Sequence, residues 1–595
     1  MTQQPDLTEW DEDITASTED EYAALLRAIR WAQGFSLLFV QCSPAEGERL
    51  IQRVQADTAE KVVRVLSLES EIEDLYEVVA AYPDIDETNV LFITGLEKSL
   101  VSYIQPGFGS EGAYYAKDTV PKLLGKLNLQ RERFKEDFAI CFVFLVPRYA
   151  MKYLIRRAAD FFDWRSGVWE FVPPKEELQY VSQQFLQEGY FLEYLNWSSQ
   201  QRRQRLHEIE DLLAYPDDLM IDPSNLLCEQ GNLLAADKYF EAATAAYDIV
   251  LTTKPNNHDA LTGKGIVLND LGRYKEAILA LDAALAIKPD FHDALYSKGY
   301  ALNGLGRYEE AIPAFDAALA IKPDFHYALT NKGIALGSLG RHKEAFTAFD
   351  AALAIKPDFH DALNGKGYAL NGLGRYEEAI PAFDAALAIK PDFHYALTNK
   401  GIALGSLGRH KEAFTAFDAA LAIKPDFHDA LNGKGYALNG LGRYEEAIPA
   451  FDAALAIKPD FPNALYSKGY ALNELGRYEE AIPALDAALA IKPDFHDAFY
   501  SKGYALNGLG RYEEAIPAFD AALAIKPDFP NALYSKGYAL NELGRYEEAI
   551  PALDAALAIK PDFHDAFYSK GYALNGLGRY EEAIPAFDAA LAIKP

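Results

Sequence analysis

Apolar residues recur along the C-terminal two-thirds of the chain with helical spacing. In the segment 292–325, Leu295, Leu302 and Leu305 lie seven and then three residues apart, which places them on one face of a helix. A glycine follows this first helix, and Pro323 ends a second one that opens with acidic residues. The pattern therefore predicts a helix–turn–helix unit.

The same unit recurs at a fixed step of 34 residues. Ten units begin at His258, His292, His326, His360, His394, His428, Pro462, His496, Pro530 and His564. A more diverged unit begins near Ser224, which makes eleven. Because one helix pair cannot bury both of its apolar faces, the units are expected to stack into a solenoid.

Small and aromatic residues of each unit fall on a known signature. In the unit at 292–325 the matching residues are Gly299, Ala311, Phe315, Ala318 and Pro323. In these positions the chain resembles the tetratricopeptide repeat (TPR) family over residues 224–595. It departs from the signature at the tryptophan position, which holds Leu295, and at the position before the glycine, which holds Lys298. The resemblance implies an all-α superhelical solenoid that binds other proteins.

The TPR resemblance also indicates which side chains contact a partner. In that fold, positions 5, 9 and 12 of each unit's first helix face the groove, and tyrosine and asparagine there suit peptide binding. We therefore expect partner contacts from Tyr296, Tyr300, Asn303, Tyr466, Tyr470, Asn473, Tyr500, Tyr504, Tyr534, Tyr538, Tyr568 and Tyr572. The alternative is that the tyrosines only pack against the neighbouring helix, and the three at position 5 in the last repeats (Tyr500, Tyr534 and Tyr568) are favoured over those at position 9.

Units are also copied in pairs. Residues 326–393 are repeated letter for letter as 394–461, and the pair beginning at Pro462 is repeated from Pro530. A periodic groove favours repetitive, extended or multivalent partners, because a shift by two units regenerates nearly the same contacts. The alternative is that the copies serve only as a spacer.

The pattern changes in the N-terminal third, where short apolar runs alternate with helical stretches. This alternation predicts a three-layer α/β domain with a mostly parallel sheet. The predicted strands are 35–42, 62–68, 89–94, 138–146 and 168–172, and the predicted helices are 19–33, 44–56, 70–82, 117–135 and 148–164. We divide the chain into a disordered acidic N-terminus at 1–18, the α/β domain at 19–172, a helical linker at 173–223 and the solenoid at 224–595.

Two segments of this domain, 127–134 and 156–171, resemble the ATPase-like modules that precede TPR arrays in bacterial STAND-type signalling proteins. Such a module carries a glycine-rich phosphate loop with a lysine after its first strand. Here that place reads QCSPAEGERLIQ, with one glycine and no lysine. We therefore expect a vestigial nucleotide site without ATP hydrolysis at Ser43, Gly47, Thr94 and Glu97.

Charge and composition narrow the classes of partner. The formal net charge of −31 makes nucleic acid and anionic lipid poor partners. Three cysteines are too few for a disulfide framework or a zinc site and indicate a cytoplasmic protein, and no run approaches the ~20 apolar residues of a membrane span. The histidines that open most units lie about 10 Å apart, too far to share a metal ion.

These observations predict a cytoplasmic scaffold, without catalysis or cofactor, that binds partner proteins or extended peptides. The alternative is a STAND-type, nucleotide-dependent switch in which the array is the sensor. An apolar stripe on the last unit, without a polar capping helix, predicts fraying or self-association. The cluster Arg202, Arg203 and Arg205 in the linker is expected to be solvated surface rather than a ligand site.

Overall fold

The computed structural model describes residues 17–101, 103, 120–188, 194, 196–215 and 222–594. Positions 1–16 of the predicted acidic N-terminus and the first three residues of the predicted helix at 117–135 lie outside these ranges. The chain divides into two units, Met1–Ile321 and Lys322–Pro595. Within the described residues, the first contains a sheet covered by six α-helices, two connecting helices and three helix pairs, and the second contains eight helix pairs.

A five-stranded parallel sheet occupies the first part of unit 1. Its strands are β1 Ser36–Gln41, β2 Val63–Ser67, β3 Val90–Thr94, β4 Cys141–Val146 and β5 Gly167–Glu170, in the spatial order β2-β3-β4-β1-β5. The central strands β1, β3 and β4 read as nearly continuous Val, Leu, Ile and Phe and are buried almost throughout. Such strands are buried because helices cover both faces of a parallel sheet.

In the part of the sheet domain that the structure describes, six α-helices connect and cover the strands: α1 Thr18–Trp31, α2 Pro44–Asp57, α3 Leu75–Ala80, α4 Lys122–Asp137, α5 Arg148–Arg157 and α6 Ala159–Phe162. One face of the sheet carries an aromatic core in which Phe39 stacks on Phe144 at 4.9 Å. The other face packs against α1 and α2, for example through Leu25 and Leu50. The predicted three-layer α/β architecture is therefore confirmed.

Two predicted helices of this part are shorter than expected. The helix predicted at 70–82 begins only at Leu75, because the Asp74 carboxylate accepts the Glu77 N–H and fixes the helix start. The helix predicted at 148–164 breaks at Ala158, where the backbone leaves helical geometry. The Asn128 side chain then accepts the Phe161 N–H at 3.0 Å, which stabilises the second segment.

Two further helices, α7 Lys175–Glu188 and α8 Ser199–Leu213, join the sheet to the helix pairs. The prediction that the arginines of α8 are solvated is wrong. Arg202 donates to the Asp237 carboxylate at 2.7 Å and to the Trp197 carbonyl, and the Arg205 guanidinium lies 3.7 Å from the centre of the Phe185 ring. Arg202 is half-buried because α8 packs against the first helix pair, and Arg205 is buried against Phe185 of α7.

The remaining helices form eleven consecutive pairs, here called repeats 1 to 11. In unit 1 they are α9 Pro223–Ala236, α10 Phe240–Thr253, α11 His258–Asp270, α12 Tyr274–Ile287, α13 His292–Gly304 and α14 Tyr308–Ile321. In unit 2 they are α15 His326–Ser338, α16 His342–Ile355, α17 His360–Gly372, α18 Tyr376–Ile389, α19 His394–Ser406, α20 His410–Ile423, α21 His428–Gly440, α22 Tyr444–Ile457, α23 Pro462–Glu474, α24 Tyr478–Ile491, α25 His496–Gly508, α26 Tyr512–Ile525, α27 Pro530–Glu542, α28 Tyr546–Ile559, α29 His564–Gly576 and α30 Tyr580–Ile593.

Two glycines set the geometry of repeats 2 to 11, numbered from position 1 at the start of the first helix, and in repeat 1 Lys238 takes the place of the second glycine with a φ of +65°. At position 8, Gly299 lies against the Phe315 ring, and a Cβ there would be 2.6 Å from it. At position 15, Gly306 adopts a φ of +73° and turns the chain into the second helix. Close packing and a tight turn therefore recur once per repeat, and the predicted all-helical array is confirmed.

Candidate functional site

A cavity of about 350 Å³ lies at the carboxyl edge of the sheet in unit 1. Loops that follow β1, β3, β4 and β5 form its floor, and α7 and α8 cover it. From β1 and β4, which are neighbours, the chain continues to opposite edges of the sheet. Ligands of open α/β sheets bind at such a switch point, so this cavity is a candidate site.

The charge of the cavity is mostly negative. Its acidic lining residues are Glu97, Glu177, Glu208 and Asp211, and its basic lining residue is Arg148. Burial raises the pKa of Glu97, and it raises the pKa of Asp211 to about 7, although the Tyr149 N–H donates to that carboxylate. The cavity therefore holds several carboxyl groups, at least two of which resist ionisation.

The predicted nucleotide-site residues lie around this edge but do not converge. Ser43 caps α2 by accepting the Glu46 N–H and donates its hydroxyl to Glu177 at 2.7 Å. Arg49 pairs with both Glu46 and Glu177. The N-terminus of α2, which is the ordinary phosphate position in such folds, thus holds a carboxylate of the chain itself.

The other three predicted residues have separate surroundings. Gly47 lies in the first turn of α2, where a Cβ would be 3.1 Å from the Leu145 side chain. Thr94 donates its hydroxyl to Ser67 at 3.2 Å. Glu97 follows in a short 3-10 helix, Leu96–Ser99, and lines the cavity together with Ser43.

A second candidate site is the row of position-9 side chains on the repeats. Tyr470, Tyr504, Tyr538 and Tyr572 are between 36% and 44% exposed. Each ring packs edge-to-face against the position-17 tyrosine of the preceding repeat, with ring centres 6.1 to 6.3 Å apart. Tyr300 in repeat 3 is 39% exposed, and repeats 4 and 6 carry exposed isoleucines at position 9. Position 9 therefore presents one large side chain to solvent in each of repeats 3 to 11.

Three tyrosines at position 5, Tyr466, Tyr500 and Tyr534, are half-buried and pack against the phenylalanine at the end of their own repeat, and Tyr500 also forms a hydrogen bond with Ser535 of the next repeat. Tyr500 packs against Phe529 with ring centres 4.9 Å apart, and Tyr466 and Tyr534 repeat this contact with Phe495 and Phe563. Burial raises the pKa of Tyr500, and that of Tyr466 to about 12. Tyr568 is 56% exposed, and Tyr296 packs against Phe315 in its own repeat.

Asparagine at position 12 connects neighbouring repeats. Asn473 is 4% exposed and donates its Nδ2 to the Ser501 carbonyl of the next repeat at 2.9 Å. The same bond joins Asn269 to Ser297, Asn371 to Asn399, Asn439 to Ser467, Asn507 to Ser535 and Asn541 to Ser569. Asn303 is half-buried. The bonded asparagines therefore fix the stacking of repeats, whereas position 9 provides the exposed surface.

Most basic side chains of the repeats pair with acids of the array. The position-7 lysine bonds to the position-25 aspartate of the preceding repeat, as Lys502 does with Asp486 at 2.6 Å. The position-16 arginine forms a two-pronged pair with the position-19 glutamate, as in Arg511 and Glu514. These pairs leave the exposed acids of other positions and the exposed position-31 lysines, such as Lys492, as the charges available to a partner.

Comparison with protein-family models matches the same part of the chain that forms the repeats. The tetratricopeptide repeat family model matches residues 224–290, 272–324, 330–392, 398–462, 441–496, 466–530, 500–562 and 534–595. Together these segments span more than half of the chain. The chain belongs to the tetratricopeptide repeat family. The TPR resemblance inferred from Gly299, Phe315 and their neighbours is thereby confirmed.

Solved TPR structures are similar to parts of the chain. A tetratricopeptide repeat protein from Parabacteroides merdae is 18% identical, with 42% of this chain and 99% of that chain covered and a TM-score of 0.36. Cut9–Hcn1 of the APC/C is 14% identical, with 68% of this chain and 95% of that chain covered and a TM-score of 0.39. YrrB, a TPR protein with an unusual peptide-binding site, gives 25% identity, 32% and 97% coverage and a TM-score of 0.28.

No curated protein matches the chain. Among the helices in the described ranges, none combines the length and the apolar character needed to cross a membrane. Within the same ranges, no group of three or more His, Cys, Asp or Glu side chains is placed to hold a metal ion.

Sequence reasoning missed the residue at position 13 of the TPR repeats. In repeats 3, 5, 7, 9 and 11 it is glycine, and the preceding repeat's position-17 ring lies on it, as Tyr478 lies on Gly508. In repeats 8 and 10 it is Glu474 and Glu542, both exposed. The signal was visible in the printed sequence as an exchange within otherwise near-identical units.

Proposed function

We propose that the protein is an interaction scaffold whose TPR array binds partner proteins or extended peptides. The observation that carries the proposal is the row of exposed position-9 side chains, one in each of repeats 3 to 11. Aromatic rings held in edge-to-face pairs lose little conformational freedom on binding and provide large contact areas. Membership of the TPR family supports the same function.

The periodicity of the array favours an extended partner. Repeats 4 and 5 are identical in sequence to repeats 6 and 7, so they offer the same side chains two repeats apart. A compact partner would use one such surface, whereas an extended or repetitive partner uses several at once. We therefore infer that the partner is a long segment rather than a short peptide end.

The test uses the full-length chain and a displayed library of extended peptides. The variant replaces Tyr470, Tyr504, Tyr538 and Tyr572 by isoleucine, the residue that repeats 4 and 6 already carry at position 9. We expect the wild-type chain to retain a set of peptides and the variant to lose most of them, measured by sequencing of the retained library.

A matched control keeps the position-9 tyrosines and changes another exposed row. It replaces the position-30 residues Ile457, Ile491, Ile525 and Ile559, which are 40% to 46% exposed, by alanine. This variant is expected to retain the peptides. Loss in the control but not in the tyrosine variant would place the binding surface elsewhere, and a wild-type chain that retains nothing would make the array a spacer.

A second candidate function is the nucleotide-dependent switch. The cavity at the switch point of the sheet favours it, because nucleotides bind at such edges. The Glu177 carboxylate at the N-terminus of α2 and the other acids of the cavity disfavour a polyphosphate. We expect no heat on titration of the full-length chain with Mg-ATP or Mg-ADP, and micromolar binding would favour the switch.

As part of the scaffold function, we assign neither a catalytic role nor a cofactor to the α/β domain, and we infer that the protein acts in the cytoplasm. Cys42 and Cys141 support the non-catalytic part, since burial raises the pKa of each thiol to about 12. A buried thiol with a raised pKa is a poor nucleophile. Assay of the purified chain for nucleotide hydrolysis is expected to show none.

A further inference from the structure

The two exposed glutamates at position 13 lie among tyrosine rings. The Tyr444 hydroxyl donates to the Glu474 carboxylate at 3.5 Å. Burial is the main cause that raises the pKa of Tyr470, Tyr500 and Tyr504, and the Glu474 charge adds to it in all three. Glu474 therefore acts electrostatically on tyrosines of repeats 8 and 9, two of which are at position 9.

Glu542 repeats this arrangement two repeats further along the chain. Glu542 lies four residues after Tyr538 on the same helix, and Tyr538 packs against Tyr512 with ring centres 6.3 Å apart. The pKa of Tyr538 is raised mainly by burial and that of Tyr572 mainly by the neighbouring Tyr546, and the Glu542 charge adds to both; these tyrosines are the position-9 residues of repeats 10 and 11. Within the described residues, no lysine or arginine forms an ion pair with either glutamate. This contrasts with Glu480 and Glu548 on the following helices, which pair with Arg477 and Arg545.

We propose that Glu474 and Glu542, with the tyrosines around them, bind arginine or lysine side chains of a basic, extended segment of a partner protein. This inference rests on the scaffold function and adds the chemical class of the partner. Each glutamate with its position-9 tyrosines is called a Tyr–Glu site.

The chemistry of a Tyr–Glu site selects a cation. A carboxylate attracts a positive charge, and the face of a tyrosine ring attracts the same charge through its quadrupole. An anionic or purely apolar side chain would offer the Glu474 carboxylate no positive charge and would cover it at a cost in solvation free energy. The formal net charge of −31 strengthens the attraction of a basic segment over longer distances.

The spacing of the sites sets a further requirement on the partner. Glu474 and Glu542 are separated by two repeats, and the intervening repeat 9 carries Gly508 at position 13. A segment with basic residues at two places engages both sites, whereas a single basic residue engages one. A peptide long enough to reach both sites is therefore expected to bind with higher affinity than a short one. The gain in affinity is expected to be larger than that of one added residue contact, because the second site is occupied intramolecularly.

The experiment measures binding of three labelled 20-residue peptides to the full-length chain by fluorescence anisotropy at low salt. One peptide alternates arginine and serine, the second carries citrulline in place of arginine, and the third carries glutamate. Citrulline keeps the shape of arginine and removes its charge. We expect the arginine peptide to bind best and the glutamate peptide to bind least.

The decisive variant is the pair Glu474→Gln and Glu542→Gln, which keeps side-chain size. Loss of one exposed cation contact weakens binding by roughly three- to tenfold, so we expect on the order of tenfold or more for the pair. The matched control, Glu479→Gln with Glu547→Gln, removes two exposed charges from the same repeats, and these charges act on Arg511 and Arg579. It is expected to change binding less than twofold.

The outcomes separate this inference from the scaffold function. Equal losses in the variant and the control would mean that net charge alone attracts the peptide, which overturns the Tyr–Glu sites. A wild-type chain that retains peptides from the displayed library but does not prefer the arginine peptide also overturns them and leaves the scaffold function standing. A chain that retains no peptide of any kind contradicts both.

Discussion

The sheet edge and the TPR array both combine carboxylates with aromatic rings, but they arrange them in opposite ways. At the sheet edge, α7 and α8 cover one cavity, and burial keeps Asp211 and Glu97 from ionising readily. On the array, Glu474 and Glu542 are exposed and recur at a fixed step. The same residue types can therefore form a closed internal site or an open surface, depending on which helices pack over them.

The largest effect is expected from removal of one core ring in each region. Phe39 and Phe519 are both fully buried, and replacement by alanine is expected to lower the free energy of unfolding by about 3–5 kcal/mol. The damage differs in extent, because a repeat contacts mainly its neighbours whereas a sheet shares one core. Hydrogen exchange should show faster exchange across all strands in Phe39→Ala and only around repeat 9 in Phe519→Ala. Faster exchange over an equally large part of the chain in both variants would contradict this difference between the sheet and the array.

The next effect concerns the closed site and depends on pH. Because the pKa of Asp211 is raised by burial to about 7, the folded chain holds a proton that the unfolded chain releases above its ordinary pKa of 3.8. Stability due to this group is therefore present at low pH and lost as pH rises from about 4 to 7. Asp211→Asn should be more stable than wild type at pH 8 by about 2–4 kcal/mol and nearly equal at pH 4.

Chemical denaturation at the two pH values measures this difference. Glu208→Gln serves as a control, since it changes a neighbouring lining residue of the same cavity. An equal gain at both pH values would show that the charge of Asp211 is not the cause.

A smaller effect concerns the bonds between repeats. Asn473→Ala removes the bond to the Ser501 carbonyl and leaves that carbonyl buried without the donor, which should cost about 1–3 kcal/mol. Asn463→Ala, an exposed change on the same helix, should cost less than about 0.5 kcal/mol. Thermal unfolding of the three chains provides the comparison, and equal midpoints would show that the asparagine bond does not stabilise the stack.

The smallest effect is expected from the exposed ion pairs. Lys502→Gln removes the pair with Asp486 and should change stability by about 0.5 kcal/mol or less. The difference from wild type should vanish in high salt, where exposed charges are screened. A larger loss that persists in high salt would indicate that the pair does more than join two solvated groups.

The sequence was sufficient for the repeats because their packing is local. Gly299 contacts Phe315, which lies sixteen residues later in the same unit, so both residues of the contact are visible within one 34-residue repeat of the sequence. The α/β architecture was equally accessible, since buried strands such as Cys141–Val146 are continuous apolar runs. The break at Ala158 was not, because Asn128, which stabilises it, lies on a different helix.

The candidate sites were harder to predict because they depend on distant contacts. The residues around Ser43 show that a phosphate loop is missing. They do not show that Glu177, which lies 134 residues later in the sequence, occupies the N-terminal end of that helix. Likewise, Arg202 reads as a surface residue until its bond to Asp237 is known. Tyr500 and Asn473 were expected at the partner surface, and the structure adds that they also join neighbouring repeats.

The exact duplication of repeat pairs has a consequence for how such a chain changes over generations. Because repeats 8 and 9 match repeats 10 and 11 with position 13 included, gain or loss of a 68-residue block would alter the copy number of Tyr–Glu sites without changing any contact within one. Strength of binding could thus be adjusted in whole steps by recombination of the gene, with no new side chain required.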